Sequence, residues 1–457
     1  MPRRTFDRRL FLKASAALSA AAAGLPLTEA ARAQDMEGYS VIVVGAGLAG
    51  LAAARELKAA GAEVTVLEAN PHIGGRLLTD WTLGVPFEVG AGWIHGPSQD
   101  NPAKQLADAI GSQYVVTDDE NLVVYSADGE EYDEDELEEI NETWEWMLEK
   151  VDNELELNDR RSLSQAINDL MPGELGYIEA QWALSAYTEF SKGAPIEDLS
   201  ATLHDDDDVY DGADVVVLNG YDEILKPIAE GLDIRLDTKV TYVGYDDTGV
   251  EVQSSSGTFE ADFCVCSVPL GVLKAGNIEF DPALPSDHQE KIDRLGFGSV
   301  TKIAFEFPEA FWDVETQYFG IMTETKGRWN YWLSYRTFSD ANVLLGLSVG
   351  AYAPVADQMS DEAMKADALE VLRGVWGDAV GEPTRMLATH WSTDPNALGA
   401  YAYPRPGGRK SDFDDLADPI EDVLFLCGEH TIFDFAGTTH GAYMTGLRAA
   451  EAILDEV

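Results

Sequence analysis

Basic residues are scarce. Lys and Arg number 31 against 82 Asp and Glu, which leaves a formal net charge of −51. A chain this short of cations has no basic patch with which to neutralise a phosphate backbone, so nucleic acid is excluded as a partner. Cysteine is almost missing: Cys264, Cys266 and Cys427 are the whole set. Three thiols give no disulfide framework. Cys264 and Cys266 alternate in the apolar run FCVCSVP, so all three read as packing residues. The body of the chain holds no apolar run of about 18 residues or more, and no membrane anchoring is predicted from it. Metal-ligand spacings such as C-x-x-C and H-E-x-x-H are absent, as are internal repeats and low-complexity tracts, so the metal expectation is none.

What is present suits a globular chain. It has 457 residues and is 45% hydrophobic, enough for two domains with real cores. That hydrophobic content argues against disorder despite the charge. The acidity is spread along the chain and has two compatible readings. One is a solvated surface suited to high salt, as in a salt-adapted prokaryote. The other is a field that draws in cationic substrates.

The opening residues resemble an address. Arg8-Arg9 precede Leu10-Phe11-Leu12-Lys13, a small-residue apolar run and Ala31-Arg32-Ala33. This pattern predicts a twin-arginine signal over residues 1–34, with the export machinery as a transient partner and a periplasmic or extracellular destination. That route carries folded proteins, which fits a chain that must load a cofactor first.

A dinucleotide site follows. The apolar segment YSVIVV runs into Gly45-Ala-Gly47-Leu-Ala-Gly50, then a helical stretch, then AEVTVLEA, with Glu68 and Ala69 at its end. Gly45 permits a tight turn, Gly47 lets backbone approach a pyrophosphate, Gly50 allows close helix–strand packing, and Glu68 can accept ribose hydroxyls. Gly74-Gly75-Arg76 offers a second close approach with a charge. Near the far end, the apolar strand VLFLC stops at Gly428-Glu429, and a helix begins close to Thr439. The fold expected is α/β (α+β in two domains). Its Rossmann-like cofactor domain is discontinuous, drawn from residues 39–96, 218–300 and 385–457. A sheet-plus-helix substrate domain is drawn from 97–217 and 301–384.

Taken together these segments resemble the flavin-containing amine oxidase family, nearest to polyamine and spermine oxidases and to the catalytic domain of lysine-specific histone demethylases. The likeness covers the chain from about Tyr39 onward. It rests also on GAGWIHG (90–96), LNGYDEILKPIAEGLDIRLDTKV (218–240), SVPLGVLK (267–274), WSTDPNALGAYAYPRPG (391–407) and GTTHGAY (437–443). The resemblance implies FAD, with Gly92, Trp93 and the Val240 backbone among its contacts, Glu429 on the ribityl chain and the helix start at Thr439 facing the flavin. Ala400 stands where covalently flavinylated relatives place a Cys, so FAD is expected to be noncovalent.

The resemblance also assigns a site. Lys302, in GFGSVTKIAFEF, corresponds to the family lysine that holds a water against the flavin. By periodicity alone it reads as an outward-facing strand residue. Trp391, Tyr401 and Tyr403 are the aromatic candidates, Thr438 takes the place of a second tyrosine wall, and His95 can hydrogen-bond an amine. Glu189, Asp205 and Asp207 are candidates for a distal ammonium, although the run Asp205–Asp208 also reads as a solvated loop. The expected activity is oxidation of a primary or secondary amine, best a polyamine, with O2 reduced to hydrogen peroxide. Two alternatives stay open. One is an L-amino acid or monoamine oxidase of the same fold, with Arg336 or Arg405 for a carboxylate. The other is a non-catalytic protein stabilised by its flavin.

Overall fold

The computed structural model describes residues 36–457, so the expected signal segment lies outside the described residues. Five strands form a wholly parallel sheet in the order Leu424–Leu426, Phe263–Cys266, Ser40–Val44, Glu63–Leu67, Asp233–Arg235. Parallel sheets are covered on both faces, and their strands read as unbroken apolar runs. Here Val41, Val43 and Val265 face one core, and Ile42, Val44, Cys264 and Cys266 face the other. The alternating cysteines therefore share a face, as their spacing predicts. Helix Leu48–Ala59 and the terminal helix Thr439–Glu456 pack together in the first of these cores.

The second large sheet has six strands, in the order Arg385–Ala388, Thr301–Glu306, Val343–Ser348, Tyr331–Ser334, Tyr318–Met322, Leu122–Ser126. Helix Asp361–Trp376 is capped by Ser360, whose side chain accepts from the Ala363 N–H. It covers the face that carries Ile303 and Phe305. Helix Glu134–Glu154 begins with a capping box between Asp133 and Glu136, and Met147 and Val151 are buried along it. One boundary moves. Arg385–Ala388 pairs with Thr301–Glu306 in register Ile303↔Ala388, so the third cofactor segment cannot begin at residue 385. The strand's place is decided by edge pairing, which sequence periodicity does not report.

Among the described residues no helix is long and apolar enough to cross a membrane. No group of His, Cys, Asp and Glu among them is arranged to hold a metal ion.

Candidate active site

The first strand ends at Val44 and the chain turns through Gly45, φ 103°, into a helix whose N-cap is Gly47. No side chain caps this helix and its first turn holds no acid. Its free N–H groups and positive dipole end are thus available to a phosphate. Gly74 lies beside Gly47 in a parallel bridge, and its N–H donates to the Ala46 carbonyl at 2.8 Å. The two glycine-rich turns form one backbone cradle. Glu68 follows the second strand and is buried; its carboxylate accepts from the N–H groups of Ala46 (2.7 Å) and Asn70 (2.8 Å). Burial raises its pKa against those hydrogen bonds. Ala69 follows, half-buried, and the buried Val240 opens a strand of the four-stranded sheet.

A side chain on Gly50 would run into the Gly45 carbonyl and the Ser267 hydroxyl. Gly50→Val is therefore expected to push the helix off the strand, costing about 1–3 kcal/mol or more. It should lower both melting temperature and flavin content, read as the ratio of visible to ultraviolet absorbance.

Glu429 joins the cradle from the other end of the chain. It is 4% exposed, yet its carboxyl is held below the ordinary pKa. Burial pushes its pKa up, but the Arg76 guanidinium at 2.8 Å and the N–H groups of Ala402 (3.1 Å) and Gly437 (3.0 Å) bring it below the ordinary value. Arg76 also donates to the Ala400 carbonyl at 2.6 Å and stacks on Phe297. Arg76, Glu429, Gly75 and Gly428 thus stand together. An uncapped helix start, a glycine cradle and a buried ribose-type acid are the donor and acceptor set a dinucleotide needs, and FAD fits it. Ala400 carries no nucleophile for a covalent link. The three thiols are buried in the core, with pKa values raised by that burial.

Lys302 is 5% exposed, on a strand buried on both faces. Its Nζ donates to the carbonyls of Glu88 (2.9 Å) and Gly90 (2.5 Å) and lies 5.7 Å from the Trp93 ring. Gly92 is close beside it, where a Cβ would stand 3.4 Å from Nζ. Burial brings its pKa down to about 8, with the charge of Glu88 opposing. Trp391 reaches the same loop and donates its indole N–H to the Val89 carbonyl at 2.8 Å. Lysine and tryptophan are thus held by three successive carbonyls.

The aromatic candidates separate. Tyr401 is held by its hydroxyl on the Phe190 carbonyl at 2.5 Å, with its ring edge against Gly193 and Gly437. Tyr403 instead packs among Met147, Leu163 and Leu184 in a helical core and over Gly296; Tyr401 precedes the two-residue strand Ala402–Tyr403 and packs against the core of the six-stranded sheet, so the two rings enter different clusters. Tyr401 thus stands between Phe190 and Gly437, while Tyr403 lies in the helical core. Thr438 caps the terminal helix, accepting from Gly441 N–H and donating to the Phe435 carbonyl. The Thr439 hydroxyl bonds that of Tyr221 at 2.6 Å.

The charged candidates also sort. The Glu189 carboxylate, fully buried, is held through Oε1 by Lys326 at 2.7 Å and the Ile196 N–H at 2.8 Å, while its Oε2 has no hydrogen-bond partner. Asp207 pairs with Lys192 at 2.5 Å in a cavity that Tyr401 also lines, whereas Asp205 is exposed. His95 is exposed and bonded to Asp214 at 2.5 Å. Arg336 donates to the Asp340 carbonyl. Sequence reasoning passed over Glu88, Asp119 and Asp214. The signal for Glu88 was present: an acid inside the apolar run VPFEVGAGW, where a charge needs partners.

The family model for flavin-containing amine oxidoreductases matches residues 48–454. Polyamine oxidase 2 of Arabidopsis thaliana is 35% identical over 431 residues, covering 90% of this chain and 87% of that protein. Polyamine oxidase 4 of Oryza sativa subsp. japonica is 34% identical over 433 residues, covering 90% and 88%. Lysine-specific histone demethylase 1 homolog 2 of Arabidopsis is 35% identical across 91% of this chain, which spans only 58% of that protein. A solved structure of a putrescine oxidase double mutant superposes with a TM-score of 0.74 at 22% identity, covering 91% of this chain and 99% of that one, a likeness of fold. A cradle built for FAD, a buried lysine beside it and a family match along almost the whole chain agree that this protein belongs to the flavin-containing amine oxidoreductases, as an FAD-dependent amine oxidase.

Proposed function

We infer that the enzyme oxidises a polyamine at a secondary or primary amine, and that O2 takes the electrons to give hydrogen peroxide. The reading is carried by one observation. The buried Lys302 is pinned on the loop that also holds Trp391, in a chain 35% identical to a protein named polyamine oxidase. When bound, FAD supplies the redox chemistry, accepting two electrons from the amine's α C–H bond and returning them to oxygen. The oxidised amine, an imine, adds water and leaves as an aldehyde with a shorter amine or ammonia.

The chain's own residues orient and select. Tyr401 and Trp391 border the reacting end, and their hydrogen bonds fix both rings. Beyond them Trp93, Phe190, Tyr331 and Tyr318 lie in edge or tilted contact. Asp119 acts electrostatically on Tyr187, Tyr318 and Tyr331, and Asp118, Asp214 and His95 are its titratable neighbours. Aromatic faces beside carboxylates suit the alternating methylene and ammonium groups of a polyamine. The acidic surface supports the same reading. The leader supports folded export to the periplasm or beyond, which a fractionation of cells expressing the full chain checks directly.

The test is anaerobic. Spermine, spermidine, putrescine, phenylethylamine and an L-amino acid mixture are added separately to the yellow protein and the flavin absorbance is followed. Bleaching by polyamines alone is the expected result. Bleaching only by a monoamine or an amino acid would overturn the substrate, and no bleaching at all would overturn the catalytic reading.

A further inference from the structure

Glu88 does work that the family assignment does not describe. It is 8% exposed, on a two-residue strand paired with Thr79–Asp80. Its carboxylate accepts from the Thr79 hydroxyl at 2.8 Å and from the Tyr221 N–H at 3.0 Å. Its own carbonyl takes Lys302 Nζ, Val89 takes the indole of Trp391, and Gly90 takes the second bond from Lys302. The loop is locked at both ends, since the N–H of Val89 donates to Leu78 and that of Ala91 to Arg76. Tyr221, held by Glu88 through its backbone, holds Thr439 through its hydroxyl at the start of the terminal helix. The Glu88 carboxylate thus reaches the helix end through Tyr221, while the backbone carbonyls of residues 88–90 hold the lysine and the tryptophan.

We propose that Glu88 is a positioning residue for the oxidation: it fixes the carbonyls that aim Lys302 and Trp391, and its carboxylate is the counter-charge to the buried ammonium. The inference rests on Lys302 facing the flavin. The groups around the pair are few. Lys302 comes from its strand, Asp222 and Tyr221 come from the turn after Gly220, and Tyr335 comes from the turn after Tyr331–Ser334. Glu88 is the charge that favours the protonated lysine. Burial lifts the Glu88 carboxyl to about 7, against the bonds from Tyr221 and Thr79, so it is mostly ionised where Lys302 titrates.

Glu88→Gln keeps the shape and the bond from Tyr221 but removes the charge. An ammonium that loses its counter-charge gives up its proton at lower pH. Three readouts are taken: flavin content, melting temperature, and the visible spectrum of the resting holoenzyme with its anaerobic reduction rate, titrated from about pH 6 to 10. Lys302→Met identifies the limb that belongs to the lysine. In Glu88→Gln that limb should move down by about one unit or more, with FAD still bound. Thr79→Val, which strips one bond from the carboxylate and favours its neutral form, should move it the same way by less, and serves alone if Glu88→Gln fails to load FAD. A Lys302 limb unmoved in both variants would overturn the proposal. So would a limb that survives Lys302→Met and disappears in Glu88→Gln, because Glu88 would then act by its own titration. If no wild-type limb depends on Lys302, it is the reading of Lys302 that fails.

Discussion

Lys302→Met should slow flavin turnover about 100-fold or more while leaving the fold and the bound FAD in place. A positioned proton-transfer group contributes on that scale, and the side chain is held by two short bonds to fixed carbonyls, so no neighbour can take its place. The stability change is small because two terms oppose. Removing a buried cation relieves its desolvation. Leaving the carbonyls of Glu88 and Gly90 without that donor costs about 1–3 kcal/mol. Stopped-flow absorbance separates reduction by the amine from reoxidation by oxygen, and shows which half-reaction the lysine serves. Turnover within about twofold of wild type would remove Lys302 from the chemistry.

The second large effect is on the cofactor. Arg76→Met leaves the Glu429 carboxylate buried with two N–H donors and no cation. Breaking such a pair costs about 3–5 kcal/mol, and the variant should be purified with little flavin. The loss depends on pH in a defined direction. In the wild type the Glu429 pKa is held below its ordinary value, so its contribution is present above the unfolded-state pKa and is lost as pH falls through the folded one. Without Arg76 the burial term dominates and the folded pKa rises. The deficit is then full near neutral pH and shrinks on acidification, as the carboxyl takes up a proton. Melting curves of both proteins should therefore converge toward about pH 4. Adding Glu429→Gln to Arg76→Met should recover part of the loss by removing the orphaned charge. Parallel melting curves across the range would show that Glu429 is not the group involved.

Both predictions concern residues visible in the sequence, for different reasons. The glycine turn and Glu68 were legible because strand, turn, helix and acid are local and keep fixed spacing. Lys302 was legible only through family likeness. Its alternating strand reads as half-exposed, and nothing local reveals that Thr301–Phe305 is buried on both faces. Glu189 and Lys326 form a pair across 137 positions, and each alone reads as a free charge. Tyr401 and Tyr403 are two positions apart, a spacing that puts both on one face of a regular strand, and nothing local reveals that the strand begins only at Ala402 and that the two rings enter different cores. Glu88 stands out as an acid in an apolar run, but what it holds was hidden because its partners Tyr221 and Lys302 are each more than 100 positions away.

The Arg76–Glu429 bridge also fixes a sequence of events. Its partners are 353 positions apart. A chain emerging N-terminus first presents its glycine turn early and its second acid only 353 positions after Arg76. Until then the nascent protein has half a binding site, with a charged arginine and no counter-ion. Loop closure over such a span is slow, because contacts distant in sequence must form before any of them is reinforced by its neighbours. Flavin capture thus waits until both halves of the site have been made, and the cofactor acts as a latch across distant parts of the chain rather than as a nucleus for its first segment.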